Sequence, residues 1–104
     1  MQGATYKEVK KEKLSLRQRQ LQIAACNDKR FNLDKAIEEF SELILALIQK
    51  RTKAHTSKPV KNQEIIDEIG DAKRYLWVLE QIYGKEAVKE RIEYKINQQE
   101  KKLK

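Results

Sequence analysis

The chain has 104 residues, 38% of them charged and 39% hydrophobic, with three glycines and one proline. One domain of a few long elements is expected from so little turn-forming material, with a core thin enough that copies would gain from associating. No apolar run approaches the roughly 18–20 residues that span a bilayer, and the opening MQGATYKEVKKEK has no apolar h-region of a secretory signal. Cys26 is alone and cannot form an internal disulfide, so a cytoplasmic protein with no membrane partner is expected. The formal net charge of +7 points to an anionic partner. The acids, however, gather at 38–42 and 64–71, which a helix dedicated to nucleic acid would not need.

Residues 1–14 are expected to be a basic tail or helical extension, and residues 15–104 the all-α domain. Ser15 followed by Gln18 has the capping-box pattern, so a first helix is expected from Leu16 to about Ala25, ended by Asn27 and Asp28. Asn32 then suits an N-cap, with Asp34 in the first turn of a second helix, Leu33 to about Lys50. Its apolar positions Leu33, Ala36, Ile37, Phe40, Leu43, Ile44, Leu47 and Ile48 recur at spacings of three and four. A basic connection, RTKAHTSKPVK, leads to a third helix from about Val60 to Tyr83, with Gly84 placed to end it. A fourth, from Lys85 to about Lys101, carries a narrow stripe of Val88, Ile92 and Ile96. The expected architecture is a four-helix antiparallel bundle.

The acids form two stripes. At 100° per residue, Glu38, Glu42 and Glu39 fall at roughly 0°, 40° and 100° on the second helix. On the third, Glu64, Asp67, Glu68 and Asp71 share a sector about 100° wide. Acidic stripes are ordinarily solvated faces. These two instead turn apolar along the same lines, into Leu45 and Ala46 on one helix and Tyr75, Val78 and Ile82 on the other. Both are therefore expected to face packed or semi-enclosed space. Carboxylates crowded there must either hold protons or gather a cation, and hard divalent cations take oxygen ligands.

Glu38-Glu39-Phe40-Ser41-Glu42 reads EExxE and Glu68-Ile69-Gly70-Asp71 reads ExxD. With EEFSELILAL before the connection and DEIGDAKRYLWVLEQI after it, the chain resembles the MazG-like all-α NTP pyrophosphohydrolase superfamily over roughly residues 15–100. The small size looks like the compact versions found in phages and bacteria. The resemblance implies hydrolysis of nucleoside triphosphates (NTP or dNTP) to monophosphate and pyrophosphate with Mg²⁺, or Mn²⁺ in its place, for cleansing the nucleotide pool. It carries over Glu38, Glu39, Glu42, Glu68 and Asp71 as metal ligands and catalytic carboxylates. It also implies a homodimer or tetramer, as does the apolar girth of the second helix beyond residue 42. Glu64 and Asp67 form a second ExxD one turn earlier, in a less family-like context.

Lys35 and Lys61 lie beside the acids on their helices as candidate phosphate holders, each weighed against a salt bridge to a neighbouring Glu. Lys73, Arg74, Lys89 and Lys95 are further cations. Trp77 and Tyr75 are core residues first and base-stacking candidates second. His55 is expected to be a solvated loop residue and Cys26 a small buried one. The competing function is a catalytically silent or regulatory basic helical module that binds a protein or nucleic acid.

Overall fold

Ser15 opens the first helix with its hydroxyl accepting from the Gln18 backbone N–H at 3.0 Å, while the Gln18 side chain accepts from Ser15 N–H at 2.9 Å. This reciprocal cap satisfies two of the orphan donors at the start of α1, Leu16–Ala25. The computed structural model describes residues 13–103, so most of the 1–14 tail lies outside the described residues. Three more helices follow, α2 (Lys29–Thr52), α3 (Asn62–Tyr83) and α4 (Lys85–Leu103), and no strand occurs among the described residues. None of these helices is long and apolar enough to cross a membrane.

The start of α2 departs from expectation. Asp28, not Asn32, is its N-cap, accepting from the Phe31 backbone N–H at 2.8 Å. Asn32 lies one turn inside the helix, buried, and its Nδ2 donates to the Ala24 carbonyl at 3.0 Å. An Asn amide donates as well as accepts, whereas an Asp carboxylate only accepts, and here the Asn32 amide joins the Asn27 backbone N–H on the Ala24 carbonyl at the end of α1. Cys26 is exposed rather than buried, because the turn it occupies faces outward.

The connection after α2 is fastened by Lys50, whose Nζ donates to the Val60 carbonyl at 2.7 Å and to Asn62 Oδ1 at 2.9 Å. α3 begins two residues later than expected, after the Lys61 N-cap, with Glu64 Oε2 accepting from Lys61 N–H at 3.2 Å. Gly84 closes α3 with φ 110°, its N–H donating to the Glu80 carbonyl at 2.8 Å, and α4 starts at the next residue. A side chain is strained at that φ. Gly84→Ala is therefore expected to destabilise the fold by about 1 kcal/mol, read as a lowered denaturation midpoint.

α2 and α3 run antiparallel, since Lys50 meets Asn62 at one end while Ala36 and Tyr75 share the core at the other. α1 lies against α3, with Ala24 joining Ala36, Tyr75 and Val78 in the buried cluster and Leu21, Phe40, Leu79 and Ile82 around it. The core is thin, because three of its five buried apolar residues are alanines: Ala24, Ala36 and Ala72. α4 buries no residue and touches α3 sparingly, so it is not packed as the fourth member of a closed bundle. The radius of gyration of 18.3 Å exceeds the about 12–13 Å of a compact chain this long. Ile37, Ile44, Leu47 and Ile48 stand exposed on α2, and Ile92, Tyr94 and Ile96 on α4.

Candidate metal centre

The antiparallel register of α2 and α3 sets Glu39 and Glu42, one turn apart, opposite Glu68. Carboxylate oxygens of these three residues lie within 4.8 Å of one another. Glu39 is buried, only 7% exposed, because it shares with Ala36 and Asn32 the side of α2 that meets α3. Glu68 is half-buried, one turn before Ala72 and two before Tyr75 on the inward line of α3. Glu42 is exposed and closes the mouth of the cluster.

Glu39 Oε2 and Glu68 Oε2 are both buried with no hydrogen-bond partner among the described residues. A buried acceptor left without a donor is costly, and here two of them stand beside a third carboxylate. Burial pushes the Glu39 carboxyl above its usual range, and the charges of Glu42 and Asp71 add to the push, with Lys35 opposing it. Burial likewise raises Glu68, followed by Glu42, Asp71 and Asp67. Asp71 is half-buried and acts on both raised carboxyls, which places it in the electrostatic neighbourhood of the cluster, although its oxygens are not among the three that converge. Like charges in a partly dry pocket either keep a proton or accept a cation. An all-oxygen donor set of this kind suits a hard divalent ion.

Glu38 is turned elsewhere. It is exposed and accepts from Lys35 Nζ at 3.1 Å, and this hydrogen bond leads the causes that raise Lys35 above its ordinary value. The same Nζ reaches Glu39 Oε1 at 3.9 Å, so Lys35 stands at the edge of the cluster. Glu38 and Glu39 are about 100° apart on the helix, on either side of Glu42, and here it is Glu39 that is buried while Glu38 is exposed. Lys61 is exposed at the N-cap of α3. Glu64 and Asp67 are exposed, with Asp67 accepting from Gln63 Nε2 at 2.8 Å.

Beside the triad a groove of about 290 Å³ runs between α2 and α3, lined by Glu42, Leu45, Ala46, Gln49, Val60 and Glu64, with Glu68 at its inner end. It joins a carboxylate wall to Val60 at the end of the basic connection, so an anion bridged by a cation has room to lie along it. Tyr75 is buried in the core, while Trp77 is half-buried on another side of α3. His55 is exposed in the connection. Gln20, which sequence reasoning missed, is a buried polar residue of α1. The signal was its i, i+4 spacing from Ala24 beside Leu21. Comparison with protein-family models, curated proteins and solved structures finds no match.

Proposed function

We propose that this chain is a MazG-like, Mg²⁺-dependent nucleoside triphosphate pyrophosphohydrolase, with Glu39, Glu42 and Glu68 holding the cation and Asp71 completing the charge around it. The observation that carries the reading is the convergence of three carboxylates from two antiparallel helices, with a buried, unpartnered oxygen on Glu39 and another on Glu68. Such oxygens are what a cation-binding pocket looks like from the protein's side, and the donor set fits Mg²⁺ or Mn²⁺. When bound, the ion supplies neutralisation of charge building on phosphate oxygens and acidifies a coordinated water.

The chain's own groups do the rest. Lys35, at 3.9 Å from Glu39 Oε1, holds that carboxylate in place while staying paired with Glu38. The groove bounded by Leu45, Ala46 and Gln49 receives the triphosphate beside the carboxylates. Water attacks the α-phosphorus, the α–β bridging bond breaks, and the pyrophosphate leaves, with a carboxylate of the cluster taking the proton that water gives up. In this reading Glu38, Lys35 and Lys61 shape the rim of the site.

The test is incubation with a panel of NTPs and dNTPs, with and without Mg²⁺, and identification of products. Monophosphate plus pyrophosphate in the presence of Mg²⁺ is expected. Orthophosphate release would assign a different hydrolysis, and no turnover would favour a regulatory basic module for protein or nucleic acid, for which the exposed, lysine-rich α4 would be the contact surface.

The functional unit is a homodimer or tetramer, in which copies cover the exposed apolar faces of α2 and α4. A thin, alanine-rich core and an extended outline leave more apolar surface uncovered than a stable monomer of this size favours. Ile44→Glu with Ile48→Glu places two charges on that face of α2. It is expected to shift the mass measured by light scattering to that of a single chain. An unchanged oligomer would place the interface elsewhere.

A further inference from the structure

A second cleft, of about 340 Å³, opens between α1 and α3, lined by Leu16, Arg19, Gln20, Ile23, Lys73 and Trp77, with Gly70 and Arg74 completing it. Its size is at the lower end of the about 300–1,000 Å³ of small-molecule sites. It is separate from the carboxylates: stepping along α3, Trp77 falls about 180° and Gly70 about 160° from Glu68.

Three features of this cleft are unexplained by the fold. Gln20 is 4% exposed, and its Nε2 is buried with no hydrogen-bond partner among the described residues. A buried amide with a spare donor is costly unless an acceptor completes it, and turning the terminal amide over presents either end to the same place. Gly70 sits in the middle of α3, where glycine weakens a helix, yet a Cβ built on it would meet nothing within 4 Å among the described residues. The protein's own packing does not require that gap. Finally, the walls join an indole face and aliphatic Leu16 and Ile23 to three cations, Arg19, Lys73 and Arg74, with no acid among the lining residues.

We infer that the α1–α3 cleft binds a nucleoside monophosphate. Its base lies against Trp77 over the space left by Gly70, a ring acceptor takes the Gln20 amide donor, and the phosphate is held by Arg19, Lys73 and Arg74. The chemistry selects this class. Stacking needs a planar ring and the amide needs an acceptor at the ring edge, while three cations beside an apolar wall need an anion at one end of the same ligand. This site and the carboxylate centre are independent, and either can exist without the other.

Trp77 is the only tryptophan in the chain, so its fluorescence reports on this cleft. The full chain is titrated with AMP in chelator, which silences any divalent-cation site, with adenosine and inorganic phosphate in parallel. Saturable quenching by AMP is expected, with adenosine and phosphate each binding at least about tenfold more weakly, since each retains only part of the contacts. Gly70→Leu puts a side chain into the open space above Gly70 and is expected to abolish the quenching. Gln20→Leu removes the donor at similar volume and is expected to weaken AMP roughly three- to tenfold while leaving the melting temperature unchanged or raised. Glu68→Gln is expected to bind AMP as the parent does. Absence of saturable quenching would overturn the assignment. So would equal binding of adenosine and AMP, quenching that follows protein concentration instead of AMP, or undiminished binding by folded Gly70→Leu.

Discussion

Glu39→Gln and Glu68→Gln are each expected to lower Mg²⁺-dependent NTP turnover at least about a hundredfold, while Glu38→Gln keeps it within about fivefold. The three residues are alike in chemistry and differ in where they point. Glu39 and Glu68 supply the buried, unpartnered oxygens of the cluster, whereas Glu38 is exposed and paired with Lys35. Replacing a carboxylate that holds a cation by a neutral amide removes charge where phosphate charge must be balanced. Replacing Glu38 loosens only the Lys35 side chain. Steady-state rates with product identification, alongside circular dichroism to confirm helicity, would decide it. Equal losses at Glu38 and Glu39 would mean that both carboxylates serve the ion and that the exposed pairing with Lys35 yields on binding.

The second large effect is on stability, and its sign is unusual for carboxylates. Glu39 and Glu68 have folded-state pKa values raised above the ordinary value of 4.5, chiefly by burial and then by Glu42 and Asp71. Between that ordinary value and their raised ones, the folded chain holds protons that the unfolded chain has released. Their contribution is therefore fully present below about pH 4.5 and is lost as pH rises through the folded values. In chelator, the melting temperature of the parent is expected to fall with rising pH relative to the Glu39→Gln, Glu68→Gln double variant. That inactive variant should be the more stable protein at pH 7.5, because it no longer carries the crowded charges.

Divalent cation is expected to reverse the order. A cation at a hundred times its dissociation constant stabilises the parent by about 2.7 kcal/mol. That increment should shrink as pH falls, because the ligands must be deprotonated to bind. Thermal denaturation across pH, with and without Mg²⁺, measures both slopes. A parent whose melting temperature rises with pH in chelator, relative to the double variant, would show that the carboxyls are not crowded in a dry pocket.

Much of this arrangement was legible in the sequence because it is local. The Ser15–Gln18 cap and the Gly84 stop depend on a few adjacent residues, and both helix ends fall where those residues put them. The inward line of α3 was readable from periodicity, since Glu68 continues into Tyr75, Val78 and Ile82 at the spacing of one helix face.

What the sequence left open needed the neighbouring element. Asp28 and Asn32 can both accept at a helix N-terminus but only Asn32 can also donate, and the position of the Ala24 carbonyl decides which of the two is the N-cap. Glu38 and Glu39 are adjacent, and the contact of α2 with α3 decides which one turns inward. The Val88, Ile92 and Ile96 stripe lies along one face of α4, but Ile92 and Ile96 are exposed, and an apolar stripe does not say whether its partner lies in the same chain. Gln20 passed unnoticed because a glutamine among Arg17, Gln18, Arg19 and Gln22 looks like solvent-facing text. Its burial follows from how α1 lies on α3.

The most direct measurement is Mn²⁺ binding followed by electron paramagnetic resonance, in which free ion gives a sharp six-line signal that coordination suppresses. The parent chain is expected to remove one Mn²⁺ per carboxylate triad saturably, with Mg²⁺ competing, and Glu39→Gln and Glu68→Gln to lose that binding while remaining helical. Free signal that persists at every protein concentration, or equal uptake by the parent and both variants, would contradict a divalent-cation centre between α2 and α3.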